Sequence, residues 1–263
     1  MKVKVISLRE KNEKRRENIK QQMSRIEVDF SFFDAITPSE NDTTSRELGI
    51  HFGESRMNDL EKSCMLSHLK IIADFANSDS GSDQIAIFED DVHISDNLSI
   101  FIKNTSWIPV DAGIVKLEKF KKYYYDFLFT NKKYFKSHII FPLKTINPGA
   151  AGYIITKNCA ISLMNSIKNR ADLVPVDHEL FRLYLNSFGV TYQIEPALCI
   201  QDTVLNAKDS ISYPSVVNSQ KYTKNYKVKK TIAEKIKSSL KRISPSYLYK
   251  KIPINRKKST MSK

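Results

Sequence analysis

Two rhythms of apolar and polar residues alternate along most of this chain. Val3 to Leu8 partly alternates and is rich in β-branched side chains, which predicts a first strand. Arg9 to Arg25 is highly charged, with Ile19, Met23 and Ile26 at helical spacing, and predicts an exposed helix covering one face. Val28 to Phe33 predicts a second strand. Thr37-Pro38-Ser39 ends it, and the polar stretch to Asn58 predicts loop or irregular structure. Leu60 to Ala76 places Leu60, Cys64, Ser67, His68, Ile71, Ile72 and Phe75 on one helical face. Ile85-Ala86-Ile87-Phe88 is a continuous apolar run, the signature of a strand buried on both faces.

In the second half, Ile114 to Leu117 predicts a short strand. Tyr123 to Phe135 is aromatic and basic without a clean period and predicts no element. Gly149-Ala150-Ala151-Gly152 leads into a strand, Tyr153 to Ile155, and a helix from Lys157 to about Ile167. Pro175-Val176-Asp177-His178 opens a helix to about Phe188, with Asp177 a candidate N-cap, and Val190 to Ile194 is a late strand. Strands alternating with helices predict an α/β domain with a mostly parallel sheet and ligands at the carboxyl ends of the strands.

Charge divides the chain in two. From Gln220 onward there are fifteen Lys or Arg and one acid, Glu234. The net charge of the whole is +13, so residues 1–219 carry about −1. We therefore divide the chain into a near-neutral globular domain, 1–219, and a basic tail, 220–263. A folded nucleic-acid binder would carry its positive patch on the domain itself, so no specific nucleic-acid partner is expected. In the tail, Ile232, Ile236, Leu240 and Ile243 form one apolar stripe among Lys230, Lys235, Lys237, Lys241 and Arg242. That pattern predicts a helix lying on an anionic membrane surface; packing of the stripe on the domain is the alternative. Pro245 and Pro253 break the remainder of the tail into a looser basic segment. Cys64, Cys159 and Cys199 lack close or metal-type spacing and read as small apolar core residues in a reducing compartment. No secretory signal or bilayer-length apolar run is visible, so a cytoplasmic protein, peripheral on the inner face of the cytoplasmic membrane, is expected.

The strongest chemical signal is Phe88-Glu89-Asp90-Asp91-Val92. Three acids at the end of a buried strand repel one another and face desolvation, which a divalent cation offsets. Residues two apart on an extended segment point the same way, so Glu89 and Asp91 are the expected ligands while Asp90 faces elsewhere. Oxygen ligands favour Mn2+ or Mg2+. A solvated acidic turn without metal is the competing reading.

These segments, taken in order, resemble glycosyltransferase family 25, which includes bacterial lipooligosaccharide galactosyltransferases. The resemblance rests on Val5-Ile6-Ser7-Leu8 with Arg15; Phe33-Asp34-Ala35-Ile36; Glu61 with Cys64-Met65-Leu66-Ser67-His68; Phe88 to Val92; Gly149 to Ile155; and Pro175-Val176-Asp177. One departure is Lys62-Ser63, where the family usually carries an apolar residue and then glycine. The resemblance implies a GT-A-like nucleotide-sugar-binding domain. Its acidic motif would hold a metal against the diphosphate of a UDP-sugar. The implied reaction is inverting transfer of a hexose, galactose above all, to a lipid-linked saccharide acceptor.

On that reading Ile6, Ser7, Leu8, Arg15, Asp34, Ala35, His68, Asp90, Gly149 and Gly152 are donor-binding candidates. Each has a plainer alternative: Arg15 as part of a solvated basic helix, His68 as a core histidine, Gly149 and Gly152 as a tight turn. Asp177 is the candidate base that removes the acceptor proton, with helix capping as its alternative. A basic nucleic-acid-binding protein and a metal-dependent phosphohydrolase remain as other functional classes.

Overall fold

The computed structural model describes residues 1–10, 12–79, 81–119 and 132–205, together with the backbone of 123–127 and 249–253. Its strands are β1 (Lys2–Ser7), β2 (Ser31–Asp34), β3 (Gln84–Glu89), β4 (Val92–Ile94), β5 (Ala112–Lys116), β6 (Glu118–Lys119), β7 (Tyr123–Phe127), β8 (Lys133–Phe135), β9 (His138–Pro142), β10 (Gly152–Thr156), β11 (Val190–Glu195), β12 (Cys199–Gln201) and β13 (Tyr249–Pro253). The helices are α1 (Glu13–Arg25), α2 (Asn41–Leu48), α3 (Asp59–Asn77), α4 (Leu98–Lys103), α5 (Lys157–Lys168), α6 (Val176–His178) and α7 (Asp202–Leu205).

Eight strands form the main sheet in the order β2-β1-β3-β10-β5-β11-β9-β8, and β4-β12-β6 form a small one. The expected mostly parallel sheet is instead mixed. β2, β1 and β3 are parallel neighbours, as are β5 and β11, but β10 runs antiparallel between β3 and β5, and β9 runs antiparallel to β11 and β8. Hydrophobic pattern reports burial of a strand's faces and is silent on its direction, so the reversal of β10 has no sequence signature.

Helices and the small sheet cover the two faces of this layer. On β3, Ile85 and Ile87 point to one face and pack with α2, α3 and α5, while Ala86 and Phe88 point to the other and pack with α1, α4 and the small sheet. That two-sided burial is why the run is apolar at every position rather than at alternate ones. α3 starts at a capping box: the Glu61 backbone N–H donates to Asn58 Oδ1 and the Asn58 N–H donates to Glu61 Oε2. Ser63, at the position that departs from the family pattern, is buried and donates to Asn41 Oδ1 at 2.9 Å, tying α2 to α3.

α2 replaces part of the predicted loop. Its eight residues are mostly polar, and its buried positions are Asn41, Thr44 and Leu48, so no apolar stripe announces it. The helix predicted to open at Pro175-Val176-Asp177-His178 and run to about Phe188 is instead one α-turn followed by a π-turn at Glu179–Leu183. Glu179 anchors that turn, accepting from the Val174 N–H and from Arg170 at 2.9 Å each. In the segment without a predicted element, β7 pairs antiparallel with β13 of the tail. The predicted tail helix between Lys229 and Ile243 lies outside the described residues. Among the described residues, no helix is long and apolar enough to cross a membrane.

Candidate functional site

β1 and β3 are parallel and β10 is antiparallel to β3, so the carboxyl ends of the first two meet the amino end of the third at one edge. That edge gathers Ser7, Glu89 to Asp91 and the Gly149–Gly152 loop. β5 adds Lys116 and, beyond it, Glu118.

Asp90 is fully engaged. Ser7 Oγ donates to its Oδ2 at 2.6 Å, Asn12 Nδ2 to the same oxygen at 3.0 Å, and Arg15 Nη1 to Oδ1 at 3.0 Å. The arrangement corrects one expectation. Arg15 is not part of a solvated basic face but is buried against Asp90, and the Ser7 hydroxyl donates to the same carboxylate. These three bonds lock α1 onto the ends of β1 and β3.

Asp91 is the opposite case. It is buried, and its Oδ1 has no hydrogen-bond partner among the described residues. Burial, and then the Glu89 charge, push its carboxyl up to about 8. Glu89 is half-buried; Oε1 lies 3.3 Å from His68 Nε2, and Oε2 accepts from Gln201 Nε2 at 3.2 Å. His68 has no solvent exposure, and its Nδ1 lies 3.0 Å from the Tyr153 hydroxyl. The ring therefore stands behind Glu89 and does not line an open pocket.

Opposite the acidic cluster, a fully buried Lys116–Glu118 pair holds the glycine-flanked loop. Lys116 Nζ donates to the carbonyls of Pro148 and Gly149, and Glu118 Oε2 accepts from the Ala151 N–H at 2.8 Å. Burial lowers the lysine and raises the glutamate, while each charge favours the ionised form of the other. Glu118 Oε1, like Asp91 Oδ1, is buried without a partner among the described residues. Sequence reasoning missed both residues. Their only signal is charge inside a strand-length run, Ile114 to Lys119, where every position is buried.

Asp177 joins this loop. Its Oδ2 accepts from the Gly149 N–H at 3.3 Å and its Oδ1 from the His178 N–H at 2.9 Å. The N-cap of α6 is Pro175, so the capping alternative does not describe Asp177. The Cys64 thiol marks where the acids converge: burial pushes it well above its ordinary range, and Glu89, Asp177 and Asp91 add to that.

The remaining candidates are placed unequally. Gly149 has φ +96°, a conformation glycine adopts without strain. Gly152 is required by packing: a Cβ there would stand 2.2 Å from Cys199 Sγ and 3.2 Å from the Phe88 ring. Ile6 belongs to the core, and Leu8 is half-buried just beyond β1. Asp34 ends β2 exposed and pairs with Arg16 at 2.7 Å, while the Ala35 N–H donates to the Ser7 carbonyl.

A hard divalent cation fits this donor set. The available atoms are carboxylate oxygens, one of them buried and unpartnered on Asp91, and a cation relieves the desolvation and repulsion that raise that carboxyl.

The family model of glycosyltransferase family 25 (LPS biosynthesis protein) matches residues 1–180, a span that holds Ser7, Arg15, the acidic turn, the Lys116–Glu118 pair, the glycine-flanked loop and Asp177. The chain belongs to glycosyltransferase family 25. Among family-related sequences, a Haemophilus influenzae protein assigned only by class, as a glycosyltransferase, is 30% identical over 247 residues, covering 92% of this chain and 84% of that one. The lipooligosaccharide biosynthesis protein lic2B of Haemophilus influenzae is 29% identical, covering 83% of each chain. The lacto-N-neotetraose biosynthesis glycosyltransferase LgtE of Neisseria gonorrhoeae is 31% identical, covering 75% of this chain and 73% of that one.

Proposed function

We propose that this family 25 protein transfers a hexose, galactose, from a UDP-sugar to the saccharide of a lipid-linked acceptor of the lipooligosaccharide or lipopolysaccharide type. The observation that carries the reading is the unpartnered buried oxygen of Asp91 beside Glu89, at the strand edge where a GT-A-like domain receives its nucleotide. The names of the lic2B and LgtE relatives support the acceptor class.

Asp91 and Glu89 would hold Mn2+ or Mg2+, which when bound supplies Lewis-acid stabilisation of charge on a leaving diphosphate. The chain's own residues do the rest. Asp90, Ser7 and Arg15 fix the acidic turn relative to β1. Lys116 and Glu118 set the Gly149–Gly152 loop. Asp177, braced by the Gly149 and His178 amides, takes the acceptor hydroxyl proton as the sugar inverts in one in-line displacement.

Two measurements test this. The protein incubated with a panel of UDP-sugars should hydrolyse UDP-galactose slowly and bind it in preference to mononucleotide or DNA; preferential DNA binding would end the reading. Asp177→Asn should lower turnover about 10²–10⁴-fold with donor affinity nearly unchanged. A variant that loses donor affinity while keeping turnover would remove the base assignment.

The basic tail extends the proposal to the inner face of the cytoplasmic membrane. Each basic residue near an anionic surface contributes roughly 1 kcal/mol, so the tail's positive charge suffices to hold the domain there. Truncation after Ser219 should leave activity on soluble acceptors and sharply reduce binding to anionic vesicles. Binding unchanged by truncation, or insensitive to salt, would exclude the tail as anchor.

A further inference from the structure

Cys64 and His68 are four residues apart on α3, the spacing that stacks two side chains on one helical face. The end of β3 brings Glu89 against them. One donor atom from each of the three lies within 4.8 Å of the other two. Cys64 is half-buried, whereas Cys159 and Cys199 are buried. We propose that Cys64, His68 and Glu89 form a binding site for a thiophilic divalent cation such as Zn2+, and that its occupancy withdraws Glu89 from the hard-cation site it shares with Asp91.

The chemistry of the three groups supports that ligand class. Thiolate, imidazole and carboxylate together suit zinc, and three protein ligands leave the fourth tetrahedral position to water. His68 already has the orienting partner a metal-bound histidine needs. Nε2 lies 3.3 Å from Glu89 Oε1, and a cation bound at Nε2 would select the tautomer in which Nδ1–H donates to the Tyr153 hydroxyl oxygen 3.0 Å away. Binding converts the Cys64 thiol to a thiolate, and its proton leaves to solvent. The Asp91 site offers oxygen alone and has no comparable preference for a soft ion. Because Glu89 serves both, the two cations exclude each other.

The test reads binding and is independent of the sugar donor and acceptor. Metal-free full-length protein is titrated with Co2+, then with Zn2+. A thiolate-to-cobalt charge-transfer band should appear and be displaced by Zn2+. It should vanish in Cys64→Ser and persist in Asp91→Asn. On the wild-type protein, Zn2+ should also slow alkylation of Cys64 by iodoacetamide, read by peptide mapping, so the proposal stays testable if Cys64→Ser does not fold. Absence of the band, its survival in Cys64→Ser, its loss in Asp91→Asn, or unprotected alkylation of Cys64 would each overturn the proposal.

Discussion

Asp90 and Asp91 are neighbours in sequence and nearly equal in burial, and the Arg15 charge reaches both, yet their oxygens are met very differently. Asp90 has both oxygens satisfied by Ser7, Asn12 and Arg15; Asp91 has a buried oxygen with no partner among the described residues. A folded chain gains stability from the first arrangement and gives it up in the second. An unsatisfied buried carboxylate is where binding energy for something else is kept. The contrast places Asp90 in the scaffold, and it is Asp91 that the proposed function gives to the chemistry.

Removing Asp90 gives the largest expected effect and breaks the comparison from its structural side. Asp90→Ala removes the carboxylate to which Ser7, Asn12 and Arg15 all donate and should cost about 3–5 kcal/mol of stability, measured by denaturant unfolding. A loss no larger than that of an exposed ion pair would show that Asp90 is not the lock.

Asp91→Asn tests the other side. Transfer should fall about 10²–10³-fold, the range for removing one electrostatic stabiliser of a transition state, while thermal stability holds or rises. Activity in chelator equal to that in Mn2+ or Mg2+, or a destabilised variant with intact rate, would reverse the assignment.

A smaller effect lies far from both. His138 is buried and packs edge-on against Phe101, with ring centroids 4.7 Å apart. Burial pulls its imidazole down to about 4 from the usual 6.5. The unfolded chain takes up that proton first, so the His138 contribution to stability is complete above about pH 6.5 and declines as pH falls toward 4, by at most about 3 kcal/mol. His138→Phe should flatten that slope and leave the contrast between Asp90→Ala and Asp91→Asn unchanged when all are compared at one neutral pH. A slope retained in His138→Phe would place the acid sensitivity elsewhere.

How much of the fold and site was legible in the chain depends on the range of each interaction. β1, β3, β10, α3 and α5 follow from local periodicity. The acidic motif is visible because a strand-length apolar run ends in three carboxylates. Which of the three is clasped was not legible, because its donors come from 83, 78 and 75 residues away. Period-two reasoning set Asp90 apart from Glu89 and Asp91, but β3 ends at Glu89 and the two aspartates lie in a turn. The roles of Lys116 and Glu118 were hidden because a buried charge pair looks, in sequence, like a strand edge. Asp177 resembled a cap because Pro175, the residue that occupies that position, offers no capping side chain.

The contact at Gly152 reaches beyond packing, to how this chain can change over generations. A single added carbon at position 152 meets Cys199 Sγ at 2.2 Å, where the small sheet rests on the large one. Neither position is then free to vary alone toward greater bulk. A lineage that enlarges residue 152 must first shrink residue 199, passing through an intermediate with a hole between the sheets beneath the acidic turn. Drift at these two positions is therefore correlated, and the order of the two substitutions is set by the geometry.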